Sequence, residues 1–338
     1  MKKNKFIVSS TKKFRKYLEK RTHRSFKRTR HRDYARTLEV PGYLAFTLEV
    51  LKTIWKNRIV FILLAIFYSV MTVLLVGIAS QDLYSTISNT LNTTSGGLFS
   101  GIIGEIEKSG LLFITAVTGG ITQTLTEAQQ VYAGIITLLT WMTSVWLLRN
   151  ILAGHKVKLR DGLYNAGSPI VSTFIIALVF IVQMLPLALA LIGYAAASST
   201  GLLAGGVEAM LFWVVAGLLG LLSFYWVTST FFALVIVTLP GMYPYQALKT
   251  ASDLVMGRRL RILLRLIWMV LVTVIVWTVI MIPIIIIDSW IKGLWGTVSW
   301  VPIVPVMLLI LGAISIIWAS SYVYLLYRKV VADETDTA

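Results

Sequence analysis

The sequence predicts an all-α membrane protein with six transmembrane helices, and three observations support this fold class. The chain of 338 residues is 57% hydrophobic and only 14% charged, with a mean hydropathy of +0.79, which excludes an ordinary soluble composition. Six apolar segments are each long enough to cross a hydrocarbon core of about 30 Å as a helix. The positive charge is concentrated in the N-terminal region and in alternate loops.

The six spans are predicted from apolar length, since about 20 apolar residues suffice for a transmembrane helix. They cover residues 59–79, 131–149, 169–196, 209–238, 263–287 and 303–327. Pro186 and Pro283 lie within the third and fifth spans and predict bends there. A further apolar stretch within 97–122 is too short to cross comfortably, and we interpret this segment as re-entrant or surface-lying on the outer side.

The distribution of charge predicts the orientation. Residues 1–58 contain 18 Lys and Arg against 4 Asp and Glu, and the 149–168 and 239–265 loops are also basic. The 80–130, 197–208 and 288–302 loops are not basic. Because positive loops stay in the cytoplasm, we expect a multi-pass protein of the cell membrane with both termini cytoplasmic. The predicted domains are a basic cytoplasmic tail (1–41), a six-span domain (42–329) and a short cytoplasmic C-terminal tail (330–338).

Three short amphipathic helices are predicted on the cytoplasmic side, each before a span. Residues 42–57 and 244–257 place apolar side chains at helical spacing, and residues 155–167 do so more weakly. Such helices lie at the headgroup boundary or pack as elbows against the neighbouring spans, and the pattern is the same for both roles.

The segment at 244–257 carries a family resemblance. The matching residues are Pro244, Ala247-Leu248-Lys249, Ser252, Leu254-Val255 and Gly257-Arg258-Arg259, followed by a long apolar helix. This pattern resembles six-helix bacterial membrane proteins of unknown function, which are related to the membrane domain of glycerophosphodiester phosphodiesterases. In those enzymes the chemistry lies in a separate soluble barrel, so the resemblance implies the membrane part alone.

The chemistry of the spans argues against an enzyme or a coupled pump. Their apolar cores carry no Asp, Glu, Lys, Arg or His, whereas proton relays and ion sites need such residues. The chain has no cysteine, three histidines and no metal-ligand or nucleotide-binding motif. We therefore predict a non-enzymatic protein with no cofactor, no catalytic residue and no metal site.

Small and polar residues in the spans predict helix packing. We expect the glycines of the fourth span and the serines of the sixth to form a packing seam, with a polar substrate path as the alternative. Gln183 is interpreted as a helix–helix hydrogen-bonding residue. The predicted packing or path residues are Gln183, Gly217, Gly220 and Ser320.

The basic tail has three open interpretations: a lipid-binding segment, an RNA-binding segment, or a solvated tail without a partner. Clusters of Lys and Arg next to a membrane bind anionic headgroups, and interleaved aromatic residues suit RNA bases. The candidate residues for lipid or RNA phosphate are Lys12, Lys13, Arg15, Lys16, Arg21, Arg24, Lys27, Arg28, Arg30, Arg32, Arg258, Arg259 and Arg261.

These observations favour an envelope scaffold or partner-binding protein anchored to anionic lipid. One alternative is an uncoupled transporter or channel for a lipid or small molecule, and another is a ribosome- or RNA-associated membrane factor. The expected partners are anionic membrane lipids, with other membrane proteins or ribosomal RNA as further candidates.

Overall fold

The computed structural model describes residues 40–77, 126–199, 205–294 and 301–336, and these residues form helices joined by turns, with no strand among them. In chain order the helices are α1 (Tyr43–Lys56), α2 (Arg58–Leu75), α3 (Glu127–Leu152), α4 (Leu159–Ala166), α5 (Ile170–Ser199), α6 (Val207–Ile236), α7 (Pro244–Val255), α8 (Arg259–Leu294) and α9 (Ile303–Asp336). The basic tail and the 97–122 segment lie outside the described residues.

Six of these helices, α2, α3, α5, α6, α8 and α9, are long and apolar enough to cross a membrane. Their positions confirm the six predicted spans. The 36 residues of α8 measure about 54 Å at 1.5 Å per residue, which exceeds the hydrocarbon thickness of about 30 Å. The protein is therefore a multi-pass membrane protein in which α8 tilts, bends at Pro283 or extends beyond the hydrocarbon core.

The centre of the bundle is built on α3 and α9. About half of the apolar stretch of each helix is buried, at 50% for α3 and 44% for α9, whereas α5 has only 6% buried. The core lies toward the end of the bundle where α3, α6 and α9 finish, and it contains Leu148, Phe232 and Tyr322 with no exposed surface. The larger of the two buried clusters among the described residues therefore lies toward this end.

Helices α5 and α6 form a hairpin at the edge of the bundle. The Leu187 amide, next to Pro186, donates to the Ser223 hydroxyl on α6 at 3.1 Å. The Thr230 hydroxyl donates to the Gln183 side-chain oxygen. Between residues 210 and 226 of α6 only Gly220 and Ser223 are buried, so this half of α6 packs on α5 and leaves its other faces exposed.

The three short helices, α1, α4 and α7, differ in what they pack against and in what they expose. In α4, Gly162 comes so near α3 that a Cβ atom there would lie 3.0 Å from Leu147 Cδ2. Helix α7 buries Ala247, Ala251 and Val255 and exposes a polar face. Helix α1 exposes apolar side chains as well as charged ones.

Helix α9 continues beyond the sixth predicted span, to Asp336, and so includes most of the residues of the predicted C-terminal tail at 330–338. Val330 is fully buried, and the Asp333 carboxylate lies 2.9 Å from the Arg258 guanidinium. The contacts of these two residues hold the additional helical turns against the bundle.

Candidate functional site

Positive charge marks one end of the bundle. Of the 15 Lys and Arg residues that the structure describes, 14 lie at the end where α2, α5 and α8 begin and where α3, α6 and α9 finish. They are Lys52, Lys56, Arg58, Arg149, Lys156, Lys158, Arg160, Lys249, Arg258, Arg259, Arg261, Arg265, Arg328 and Lys329. The described charges at the opposite end are Glu127, Glu208, Asp288 and Lys292. We call these the basic end and the opposite end.

Two arginines of the basic end are structural. Arg258 is buried, and its guanidinium contacts the Asp333 carboxylate and donates to the Val330 carbonyl at 3.3 Å. Arg265 is also buried and donates to the Val40 and Pro41 carbonyls at 3.2 and 2.8 Å. These contacts join α8 to the end of α9 and to the start of α1.

The other two arginines predicted to bind phosphate are more accessible. Arg259 is half-buried, with its guanidinium 3.9 Å from the centre of the Tyr225 ring, and it donates to the Ser252 hydroxyl at 3.1 Å. Arg261 has an exposed side chain. Of the three predicted arginines, Arg258 is thus buried, Arg259 is half-buried and Arg261 is exposed. Arg261 is therefore the most accessible to a phosphate.

Helix α1 has a buried face that docks it onto the bundle. Phe46 and Val50 have no exposed surface, and the Phe46 ring packs edge-on against Tyr322 of α9 with centroids 4.8 Å apart. The Trp268 indole of α8 donates to the Thr47 hydroxyl at 3.0 Å. These contacts fix the rotation of α1 and therefore decide which residues face outward.

A second face of α1 is apolar and exposed. Its residues follow a spacing of four, three and four positions, which places them on one side of a helix. They are Leu44, Leu48, Leu51 and Trp55, with exposed fractions of 68, 63, 47 and 69%. We call this set the apolar stripe. Contiguous exposed apolar surface marks a membrane or protein contact, and α1 leads directly into the spanning helix α2.

A third face of α1 is charged and borders a cleft. Glu49, Lys52 and Lys56 lie on this face, and the cleft separates α1 from the segment that follows α3. Its volume is about 570 Å³. The lining residues are Glu49, Lys52, Thr53, Lys56, Asn57, Val60, Ile151, Leu152, Gly154, His155, Lys156 and Val157. We call it the α1–α3 cleft.

The predicted packing residues of the spans have separate surroundings. Gly220 is buried against α5, where an added Cβ would lie 3.8 Å from Leu187, whereas Gly217 is exposed with no atom within 4 Å of an added Cβ. Ser320 is buried and donates to the Ile317 carbonyl of its own helix. Gly220 thus packs on α5, since Leu187 is the neighbour that an added Cβ would meet.

Sequence reasoning missed the α1–α3 cleft and the role of Arg265. About 100 residues separate Lys52 from His155 and Lys156, so only the fold brings them to one cleft. Arg265 counted as a loop residue, although α8 already begins at Arg259. The candidate residues of the tail, from Lys12 to Arg32, lie outside the described residues and remain predictions.

Comparison with known proteins does not add a family to this description, since no family model, curated protein or solved structure matches the chain. The resemblance of residues 244–259 to six-helix bacterial membrane proteins stays a prediction. The structure establishes an all-helical, multi-pass membrane protein whose described positive charge lies almost entirely at one end.

Proposed function

We propose that the protein is a non-enzymatic envelope scaffold or partner-binding protein that binds anionic phospholipid at its basic end, with this end facing the cytoplasm. The observation that carries the proposal is the three-faced helix α1, in which a docked face, the apolar stripe and a charged face lie side by side. A helix at a membrane surface needs the last two faces together.

The apolar stripe supports burial at the lipid boundary. Trp55 is 69% exposed, and the Arg58 guanidinium lies 5.4 Å from the centre of its ring. Tryptophan and arginine are both favoured at headgroup depth, because each combines apolar surface with a polar group that can contact phosphate. The start of α2, at Arg58, would then coincide with the start of the hydrocarbon region.

The excess of cations supports binding of anionic lipid. Each Lys or Arg near an anionic surface contributes about 1 kcal/mol, and this attraction extends over about one Debye length. Lys249 and Arg261 are exposed at the same end as Lys52 and Lys56. The predicted basic tail would add to the same attraction.

A lipid-selectivity experiment tests the proposal. The purified full-length protein is reconstituted in phosphatidylcholine with a trace of spin-labelled phosphatidylglycerol or spin-labelled phosphatidylcholine. We expect a larger motionally restricted fraction for phosphatidylglycerol at 0.1 M salt, and a reduced difference at 1 M, where the Debye length falls from about 10 to about 3 Å. Equal fractions for both lipids at both salt concentrations would refute it.

The same preparation tests the RNA hypothesis for the tail. Nuclease-sensitive RNA that co-purifies with the intact protein, together with no preference for phosphatidylglycerol, would replace lipid binding by RNA binding.

Cysteine labelling tests the orientation. The chain has no cysteine, so Lys249→Cys and Glu208→Cys each introduce a single thiol, one at the basic end and one at the opposite end. With a membrane-impermeant maleimide on intact cells, we expect labelling at 208, and labelling at 249 only after permeabilisation. The reverse pattern would place the basic end outside.

A further inference from the structure

We propose that the α1–α3 cleft is a site for a single phosphate group, as carried by the headgroup of an anionic lipid. This inference deepens the proposed function, on which it rests, because it replaces a diffuse basic surface by one defined position. The cleft combines cationic side chains from two parts of the chain with a helix start that lacks a side-chain cap.

The charge of the lining favours an anion in the cleft. Lys52 and Lys56 from α1 and Lys156 from the segment after α3 line the cleft, and Glu49 is the carboxylate among its lining residues. The Glu49 carboxylate lies 3.0 Å from the Lys329 ammonium of α9, so an additional cation offsets it. The lining therefore has an excess of positive charge, which an anion can neutralise.

The start of α2 lies beside the cleft without a side-chain cap. The first N–H groups of a helix have no partner within the helix, and an Asn at the N-cap ordinarily accepts from one of them. Asn57, at the N-cap of α2, makes no such bond, and its amide instead donates to the Thr53 carbonyl at 3.1 Å. The Val60 amide already donates to the Asn57 carbonyl at 3.1 Å, which leaves the Arg58 and Ile59 amides, and these follow Asn57, which lines the cleft. Backbone N–H groups at a helix start favour a phosphate oxygen.

The turn after α3 forms the other wall of the cleft. Gly154 has φ of +84°, which other residues rarely adopt, and the following His155 amide donates to the Asn150 carbonyl at 3.0 Å. This turn closes the end of α3 and brings His155 and Lys156 to the cleft opposite α1. The cleft wall is thus set by backbone geometry, which suits a defined site.

The surroundings favour a lipid as the source of the phosphate. Val60, in the first turn of α2, lines the cleft, and the exposed side chains of Leu63, Phe67 and Val70, at helical spacing from Val60, continue its face along the spanning helix. A headgroup in the cleft could place its acyl chains along these side chains. A free phosphate would bind the same lysines but would not contact these apolar side chains.

The test is native mass spectrometry of lipid retained by the detergent-solubilised full-length protein after incubation with phosphatidylglycerol. The cleft variant carries Lys52→Gln, Lys56→Gln and Lys156→Gln. The matched control carries Lys158→Gln, Arg160→Gln and Arg328→Gln, three exposed residues of the basic end that are not among those lining the cleft. Both variants lose the same charge, and circular dichroism verifies that both are folded.

We expect one phosphatidylglycerol to be retained by the unaltered protein and by the control. At about fivefold per lysine, the cleft variant should bind it about 100-fold more weakly. Equal weakening in both variants would overturn the cleft site while leaving the proposed function intact. No preference for phosphatidylglycerol over phosphatidylcholine in the unaltered protein would overturn both.

A second arm distinguishes the sources of phosphate. The unaltered protein with its retained phosphatidylglycerol is transferred to detergent without further phospholipid and incubated with inorganic phosphate at the concentration used for lipid. Displacement of the retained lipid by inorganic phosphate would support a phosphate site filled from solution. Lipid that stays bound would support the headgroup as the ligand.

Discussion

Replacing Arg258 by methionine should destabilise the protein strongly, because the arginine side chain is only 1% exposed and faces a carboxylate that is 10% exposed. Its guanidinium lies 2.9 Å from the Asp333 carboxylate and 3.3 Å from the Val330 carbonyl. Methionine fills most of the volume but leaves the Asp333 charge without its cation. Removing one partner of a buried ion pair costs about 3–5 kcal/mol of the free energy of unfolding.

A matched control lies one helical turn earlier on α9. The Lys329–Glu49 pair has a similar distance, 3.0 Å, but its side chains are 36 and 40% exposed. Solvent screens such a pair, so Lys329→Met should cost about 0–1 kcal/mol. The difference between the two variants therefore measures burial and not the number of ion pairs.

The free energy of unfolding can be measured by titration with sodium dodecyl sulfate in mixed micelles, followed by the fluorescence of the 11 tryptophans and by circular dichroism. A double variant, Arg258→Met with Asp333→Leu, should recover much of the loss, because neither charge is left buried alone. Equal and small losses for Arg258→Met and Lys329→Met would refute the reasoning that the buried pair holds the end of α9 to α8.

Three further predictions use the same unfolding measurement. Gly162→Ala should lower the free energy of unfolding by about 1–3 kcal/mol, because its Cβ would lie 3.0 Å from a leucine of α3. Gly167→Ala is the control, since its Cβ would have no atom within 4 Å. Equal stability of these two variants would contradict the docking of α4. Gly220→Leu should destabilise the α5–α6 hairpin and Gly217→Leu should not, since only the former faces α5; the opposite order would contradict this packing. Thr230→Val should cost about 0.6 kcal/mol by removing the interhelical hydrogen bond to the glutamine of α5, and no loss would show that this bond does not stabilise the pair.

Apolar length was sufficient to predict the spans but not their ends. The third span, expected at 169–196, is Ile170–Ser199 and so lies close to its predicted position. Apolar length suffices here because a run of apolar residues is what a helix needs to cross the membrane. The sixth, expected to finish at 327, continues to Asp336. The extension depends on the burial of Val330 and on the ion pair between Asp333 and Arg258, about 75 residues earlier. The hydropathy of the sequence predicts neither contact.

Helical spacing alone does not determine which face of a short helix is buried. In α1 both the pair Phe46 and Val50 and the pair Leu51 and Trp55 fit a helical face, yet only the first pair is buried. The choice is made by Tyr322 of α9, which packs on Phe46. Helices α1 and α7 have similar apolar spacing, yet α1 exposes apolar as well as charged side chains whereas α7 exposes a polar face.

Counting charges located the basic end but could not rank its residues. Three arginines lie close together in sequence, at 258, 259 and 261, and the sequence does not distinguish them. In the fold Arg258 pairs with Asp333, Arg259 lies over the Tyr225 ring, and Arg261 faces solvent. The α1–α3 cleft was missed for a related reason, since its two walls are distant in the chain.

The central claim, that α1 lies at the boundary between lipid and water, is tested most directly by a spin-label scan along α1. Single cysteines at 44–56 in the cysteine-free chain are labelled with a nitroxide, and the reconstituted protein is exposed to oxygen, which partitions into lipid, or to a water-soluble nickel chelate. We predict high oxygen accessibility at Leu48 and Leu51, high nickel accessibility at Lys52 and Lys56, and low values for both reagents at Val50. Nickel accessibility at Leu48 and Leu51 equal to that at Lys52 would contradict the claim, because the apolar stripe would then face water.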